Sequence, residues 1–299
     1  MRSGRGTSAT ACPDVDHEVQ SLEDALSLNP NCAIVALPAP HHISMATSLV
    51  ENGLHVLIEK PLSTDMEGID TLKGLAQQKS VTVSVGYNLR FHPGLVRLRN
   101  ALINEVIGAP LSIQAEVGQN LDQWRQGVEP QVSVSARSDT GGGAIFELSH
   151  ELDYVRWLMG DVTELQAMEG RLGTLVDDVE DTVNIQCRFA SGALGHIHLD
   201  MLSHAPYRFC RVIGEHGLAE WNAITGASRI FLQAEGAWRD LHPAETLDRS
   251  ATYSAQWRQF QTCIDGNESP MCSLEDGGAT LKLCLAVKQA IKTAGSLHP

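Results

Sequence analysis

Residues Val56–Leu62 read V-L-I-E-K-P-L, an apolar run that ends in a carboxylate, an amine and a proline. A short apolar run of this kind, bounded by a turn signal, is typical of a buried strand. Glu59 and Lys60 then stand just beyond the carboxyl end of the strand, which is where open α/β sheets bind their ligands. The run therefore predicts a buried parallel strand with Lys60 as a candidate for chemistry. A solvated Lys and Glu beside a turn is the simpler alternative.

Two further apolar runs, and the helical segments between them, favour the first interpretation. Cys32–Leu37 is closed by prolines, and Val81–Val85 follows an amphipathic segment at Asp65–Gln78. Ile43–Val50 carries its apolar residues at helical spacing and ends shortly before Gly53. Strands that alternate with helices predict a parallel sheet, whose carboxyl ends meet at one edge. That edge would gather Pro38, His42, Glu59, Lys60, Tyr87 and Asn88.

A glycine-rich block lies further along the chain at Gly141–Asp153 and reads G-G-G-A-I-F-E-L-S-H-E-L-D. Three glycines let the backbone pass close to a ligand and lead into a helix N-terminus. Glu147, His150, Glu151 and Tyr154 share one face of the helix that follows, because helical residues three and four apart are neighbours. His150 can therefore face a pocket, although a histidine of the core or the surface is the simpler interpretation.

In the order of these motifs the chain resembles the glucose-fructose oxidoreductase / inositol dehydrogenase / rhizopine-catabolism (Gfo/Idh/MocA) family of NAD(P)-dependent dehydrogenases. The resemblance is carried by Ala36-Leu37-Pro38 with His42, by Glu59-Lys60-Pro61, by G-Y-N-L-R-F at Gly86–Phe91, and by the glycine-rich block. It implies an α/β fold in which an incomplete Rossmann-like parallel sheet, with its first strands missing, is followed by an α+β domain with an open antiparallel sheet. The implied divisions are a disordered or irregular tail at 1–20, the remainder of a dinucleotide-binding domain at 21–91, and a substrate and oligomerisation domain at 92–299 whose last helix packs back on the first domain.

The resemblance also implies an activity, namely hydride transfer between a sugar hydroxyl and C4 of nicotinamide. In that scheme His150 takes the hydroxyl proton and Lys60 polarises the oxygen, while Glu147 or Asp153 orients His150. The family places its acidic residue four positions before the histidine, whereas Glu147 stands three before His150 here. The cofactor, NAD or NADP, would be held at the sheet edge by Leu37, Pro38, His42, Glu59, Lys60, Pro61 and Asn88.

Arginines near the expected pocket suggest the class of substrate. Arg90 and Arg137 border this region, and Gln119–Arg125 corresponds to a pocket loop in members of the family. Guanidinium groups bind both oxygens of a carboxylate or phosphate, which favours an acidic sugar or nucleotide-sugar over a neutral polyol. The candidate substrate contacts are Tyr87, Arg90, Trp124, Arg125 and Arg137.

The signature for dinucleotide phosphates departs from the expected pattern. It should be a strand, then G-x-G-x-x-G opening a helix, then a second strand that ends in an acidic residue. Gly4–Ala9 fits G-x-G-x-x-A, but only three residues precede it, so we interpret it as a chance match in a polar tail. Aligned on the family pattern, the sequence begins after the first two strands, and we therefore expect weakened cofactor binding. A truncated inactive remnant, a non-catalytic sensor of the same fold and an NAD-dependent glycosidase of the family stay open as alternatives.

Length and composition agree with an enzyme of two domains. The chain has 299 residues, of which 43% are hydrophobic, and a net charge of -14, so it can supply two cores. Its acidic balance argues against nucleic acid and anionic membranes as partners, and no apolar run has the length of a membrane span. Seven cysteines without a CxxC pair indicate reduced thiols in the cytoplasm. We expect no metal site, because a polar sheet face explains the alternation of His196, His198 and Asp200.

Alternating segments beyond Pro93, such as Val179–Phe189 and Ala193–Leu202, predict an antiparallel meander covered by helices on one face. A broad uncovered face is normally buried between subunits. The expected assembly is a homodimer or homotetramer of a protein that acts on a small sugar-like molecule. Either that face or the core would be lined by Ile185, Cys187, Ile197, Leu199 and Met201.

Overall fold

The computed structural model describes residues 15–124, 133–176, 178–245 and 248–293. The predicted substrate contact Arg125 and the Gly4–Ala9 motif lie outside the described residues. None of the described helices is both long enough and apolar enough to cross a membrane. The described cysteines are free thiols, and most of them are buried.

A parallel sheet of three strands forms the first part of the described chain. Its strands are β1 (Cys32–Val35), β2 (His55–Ile58) and β3 (Val83–Val85), in the order β1-β2-β3. Val35 pairs with Ile58, and Ile58 pairs with Val85, so all three strands end at the same level. The helices of this part are α1 (Leu22–Ser27), α2 (His42–Glu51) and α3 (Ile69–Lys79). The predicted α/β class is confirmed, and the aligned strand ends form the edge at which a ligand can be bound.

A second sheet of eight strands follows helix α4 (Pro93–Ile103). Its strand order is β11-β10-β9-β8-β4-β7-β6-β5, and every neighbouring pair is antiparallel except β4 and β7, which are parallel. The expected antiparallel sheet is thus mixed at one place, because β4 reaches the sheet centre before the meander begins and pairs with β7 in the same direction. The strands are β4 (Pro110–Gly118), β5 (Val162–Gly170), β6 (Thr182–Phe189), β7 (Leu194–Asp200), β8 (Tyr207–Gly214), β9 (Gly217–Asn222), β10 (Ser228–Leu232) and β11 (Ala237–His242).

Helices cover the inner face of this sheet, and the other face is open. The covering elements include α5 (Ala144–Glu147), α6 (His150–Met159) and α8 (Leu274–Thr293), while α7 (Arg249–Ile264) lies against the turn at Asn88–Phe91. The sequence did not decide whether five apolar residues line the open face or the core. They lie in the core, each at 6% exposure or less: Ile185, Cys187, Ile197, Leu199 and Met201. The open face is instead mostly polar, with exposed apolar side chains at Met168, Leu194 and Ile213. A homo-oligomer stays a prediction.

A buried ion pair joins the two parts of the molecule. Arg90 follows β3, and its Nε and Nη2 donate to the two carboxylate oxygens of Asp153 on α6 at 2.9 and 2.8 Å. Arg90 Nη1 donates to the carbonyl of Met271, and Thr280 on α8 donates to Asp153. Both charged side chains are at most 2% exposed. Arg90 was expected to bind substrate and Asp153 to orient His150, but these hydrogen bonds give both residues a structural role instead.

Removing one partner of this pair leaves a charge buried without a counter-charge, which typically costs about 3–5 kcal/mol. Arg90→Met should therefore lower the free energy of unfolding by that amount, measured from urea denaturation. Arg137→Met is the matched control, because Arg137 makes a two-bond pair with Asp139 at the exposed surface. Its denaturation midpoint should stay close to that of the wild type. Equal effects of the two substitutions would contradict the structural role of Arg90.

Candidate active site

His42 connects the loops that follow the first two strands. Its Nε2 lies 2.7 Å from the carbonyl oxygen of Leu37, and its Nδ1 lies 2.9 Å from that of Pro61. The ring is 1% exposed, and burial lowers the pKa of His42. The Lys60–Pro61 peptide bond is cis. A neutral imidazole carries one N–H, so His42 donates to only one of these two carbonyls and lies against the other. Because both ring nitrogens face backbone carbonyls, neither is offered to a ligand.

Glu59 and Asn88 stand at the ends of β2 and β3. The Glu59 carboxylate lies against Gly86, where a Cβ atom would come within 3.1 Å of Oε2, so the absence of a side chain at Gly86 makes room for it. Burial raises the pKa of Glu59, and Lys60 opposes that rise. Asn88 is 6% exposed and donates through Nδ2 to Thr252 Oγ1 at 2.8 Å.

The glycine-rich block is shaped by a residue that the sequence did not single out. Glu180 is 5% exposed, and its Oε1 accepts from the amide of Ile145 at 3.1 Å, while its carbonyl accepts from Ala144 at 2.9 Å. Gly143 has a φ of +99°, and a Cβ there would lie 2.6 Å from Glu180 Oε1. Only glycine combines this backbone conformation with so close an approach. Glu180 therefore fixes the first residue of α5. Since α5 is only one turn long, Glu180 also fixes the position of Glu147, its last residue.

Lys60 reaches from the small sheet to the end of α5. Its Nζ donates to the carbonyl oxygen of Glu147 at 2.7 Å, and it lies 3.8 Å from Glu147 Oε2. The two side chains are 17% and 19% exposed, so the ammonium is accessible but largely shielded. The contact spans 87 residues of sequence and brings the two motif blocks together.

His150 begins α6 beside this contact and is 9% exposed. Burial and the nearby charges of Lys60 and Arg208 hold its pKa well below the ordinary value. Its Nδ1 is buried and has no hydrogen-bond partner among the described residues. The Tyr87 ring and the imidazole pack in a T-shaped arrangement, with centroids 5.6 Å apart. Tyr87 is fully buried and donates to Ser149 Oγ at 3.4 Å. It therefore packs against His150 inside the protein and does not form the expected substrate-contact surface.

A cleft of about 340 Å³ opens in front of His150. Its charged wall is made by Arg208 on β8, whose Nε donates to Glu151 Oε1 at 2.8 Å. Arg208 was missed at the level of sequence, although it alternates with Cys210 and Val212 on the inward face of its strand. The polar and charged lining residues are Asn88, His92, Gln119, His150, Tyr207, Arg208, Asp248, Thr252 and Tyr253.

Trp124 and Arg137, the other predicted substrate contacts among the described residues, lie apart from this lining. Trp124 is half-buried and donates through Nε1 to the carbonyl of Gln119 at 3.2 Å, so it supports a residue that does line the cleft. Arg137 is exposed and paired with Asp139. The two described arginines of the predicted set, Arg90 and Arg137, therefore do not converge on the cleft, since Arg90 is buried in its own ion pair.

Gly143→Ala should move the start of α5 and, with it, the carbonyl that holds Lys60. A non-glycine residue at positive φ costs about 1–2 kcal/mol, and the overlap with Glu180 should add about 1–3 kcal/mol. Gly192→Ala is the matched control, because Gly192 has a φ of +90° but nothing within 4 Å of an added Cβ. Thermal unfolding should show the larger loss for Gly143→Ala. Equal losses would mean that Glu180 does not constrain the block.

Comparisons with known proteins agree with this architecture. Residues 3–87 match a sequence model described as an oxidoreductase family with an NAD-binding Rossmann fold, and residues 95–220 match the GFO/IDH/MocA C-terminal domain. An inositol 2-dehydrogenase of Paenarthrobacter aurescens is 26% identical over 312 residues, which cover 99% of this chain and 87% of that protein. An uncharacterised oxidoreductase of Synechocystis is 30% identical over 88% of this chain and 73% of its own length.

Solved structures share the fold at lower sequence identity. A levoglucosan dehydrogenase in complex with NADH superposes with a TM-score of 0.78 at 20% identity, covering 87% of this chain and 77% of that one. Such a likeness speaks for the fold, while the sequence matches speak for the family. Because both of its halves match the family's own domains, the chain belongs to the Gfo/Idh/MocA family of oxidoreductases.

Proposed function

We propose that the protein transfers hydride between a hydroxyl group of a sugar or cyclitol and NAD or NADP. The observation that carries this proposal is the hydrogen bond from Lys60 to the Glu147 carbonyl, which brings the ammonium to the segment just before His150, a residue that lines the cleft. A base and an ammonium placed together suit the interconversion of an alcohol and a ketone, in which a proton leaves as negative charge grows on oxygen.

The residues at the sheet edge fit the nicotinamide end of the cofactor. Glu59 provides a carboxylate, for which Gly86 leaves room. The loops after β1 and β2 provide backbone groups beside His42, at Leu37 and Pro61. Leu37, Pro38 and Pro61 would form the surrounding walls, and Asn88 stands at the boundary with the cleft. When bound, the nicotinamide supplies the hydride-accepting and hydride-donating carbon.

His150 acts as the general base in the oxidation direction. Its lowered pKa keeps the imidazole neutral at neutral pH, so it can take a proton from a substrate hydroxyl. Nε2 is the nitrogen available for this transfer, since Nδ1 is enclosed. Lys60 uses one of its N–H groups on the Glu147 carbonyl and has others to stabilise the oxygen that gains negative charge. Glu147 positions Lys60 rather than His150.

Lys60→Met and His150→Asn should each reduce turnover by about 10² or more. Oxidation of myo-inositol and D-glucose at high NAD or NADP is the first assay, because relatives include an inositol dehydrogenase. The matched controls are Lys73→Met, which breaks an exposed pair with Glu275, and His196→Asn on the open sheet face. Both controls should retain the wild-type rate.

The pH profile provides a separate check on His150. Because the pKa of His150 is lowered, the acid limb of the kcat/KM profile for oxidation should have its midpoint below the ordinary histidine value of about pH 6.5. This limb should be absent in His150→Asn. Near-normal turnover in either site variant would remove that residue from the mechanism.

Binding of the cofactor by this 299-residue chain should be weak. None of the three described strands of the small sheet leads through a glycine-rich loop into a helix, so the described edge lacks the usual row of amides for a pyrophosphate. Isothermal titration with NADH and NADPH should give dissociation constants on the order of 1 mM. Micromolar affinity would contradict this prediction.

A further inference from the structure

Arg208 and Glu151 form a pair between the two layers of the second domain. Glu151 follows His150 on α6 and is fully buried, while the Arg208 side chain is 22% exposed and lines the cleft. Nε of Arg208 donates to Oε1 at 2.8 Å and Nη2 to Oε2 at 3.4 Å. Both carboxyl oxygens thus accept from one guanidinium, which is the geometry of an ionised pair; burial raises the pKa of Glu151, and the charge and hydrogen bonds of Arg208 oppose that rise. Glu151 thus accepts from Nε and Nη2 of the guanidinium, and Nη1 takes no part in this pair.

Each positive charge around the described cleft has a carboxylate partner. Arg208 is compensated by Glu151, and Lys60, which lies near the cleft but not in its lining, is 3.8 Å from a carboxylate oxygen of Glu147. The only other formally charged residue of the described lining is Asp248, an acid. The two histidines of the lining are neutral at pH 7. Burial, with the nearby charges of His242 and Arg208, lowers the pKa of His92 to about 4, and burial beside Lys60 and Arg208 lowers that of His150. The described cleft therefore has no surplus positive charge to meet an anion.

Its walls nevertheless contain hydrogen-bond donors. His92 Nδ1 accepts from the amide of Gly94 and from Trp221 Nε1, each at 3.1 Å. A nitrogen that accepts cannot hold the ring proton, so in the neutral ring that proton is on Nε2. Nε2 is buried without a partner among the described residues. Arg208 thus supplies N–H groups to the cleft while Glu151 compensates its charge, and the neutral His92 adds no charge to the lining.

We infer that Arg208, held in place by Glu151, positions the substrate, and that the cleft selects an uncharged polyhydroxy ring over the corresponding acid or phosphate. A hydroxyl oxygen accepts from a guanidinium at little electrostatic cost. An anion would have to leave water for a site where Arg208 is already paired and Asp248 repels it. This rests on the proposed function and replaces the acidic substrate that the sequence suggested, since neither Arg90 nor Arg137 lines the cleft.

The test compares matched neutral and anionic ligands, D-glucose with D-glucuronate and myo-inositol with myo-inositol monophosphate. Affinities are measured by NMR titration of the full chain at pH 7, with and without NADH. The wild type should bind the neutral member of a pair at least about 10-fold more tightly. Arg208→Gln should weaken neutral binding by about 10-fold or more, because a hydrogen bond from a charged donor is lost.

Glu151→Gln keeps the shape of the side chain and removes its charge. If Glu151 neutralises Arg208, this variant should shift the preference toward the anionic ligand by about 10-fold or more, an effect that loss of packing would not produce. Arg208→Lys keeps the charge and should retain part of the binding, which covers the case in which Glu151→Gln does not fold. Arg211→Gln and Glu220→Gln break a similar pair on the other face of β8 and should leave every affinity unchanged.

Three results would overturn the inference. A wild type that prefers the anions, or neutral binding that Arg208→Gln leaves intact, would reject it while leaving hydride transfer standing. An unchanged preference in a folded Glu151→Gln variant would reject the neutralising role of Glu151. Binding of no ligand in the panel would count against the proposed function itself, and the inference would fall with it.

Discussion

The geometry of the candidate site depends on the buried pair of Arg90 and Asp153. Arg90 comes from the end of the small sheet and Asp153 from α6, so their two hydrogen bonds fix the small sheet relative to α6. Asp153 also accepts from Thr280 on α8. Such a pair is stable in the interior only when each donor and acceptor is satisfied. The chain meets that condition with the Met271 carbonyl and the Asp276 carboxylate at Arg90 and the Thr280 hydroxyl at Asp153.

Around His150, electrostatics and close packing produce the conditions for proton transfer. Two cations, Lys60 and Arg208, flank the imidazole, and each is restrained by an oxygen acceptor on α5 or α6. They disfavour a third positive charge, and burial acts in the same direction, so the imidazole stays neutral. The carbonyl that restrains Lys60 is itself placed by Gly143 against Glu180. Among the described residues, no carboxylate is hydrogen-bonded to the histidine, so the general base that we propose depends on burial and these two cations.

Periodicity and motif order predicted the architecture well and individual partners poorly. The three parallel strands, the crossing helices and the meander follow from apolar spacing, and Lys60 and His150 follow from the order of the motifs. The roles of Arg90, Asp153 and Tyr87 were wrong or incomplete because a side chain's partner is set by packing between distant segments, which spacing does not encode. The parallel pairing of β4 with β7 was missed for a similar reason, since strand neighbours are chosen by which edges remain open.

Local pattern alone determined which residues form strands and helices, since burial on one face requires a period of two or of 3.6 residues. It also determined that the amine of Lys60 follows a buried strand and that the imidazole of His150 follows a glycine-rich turn. Tertiary structure decided what those groups can do. It placed Arg208 beside His150 and compensated it with Glu151, and it withdrew Arg90 into the interior. The charge of a cleft is a sum over segments far apart in sequence, so only the folded chain defines it.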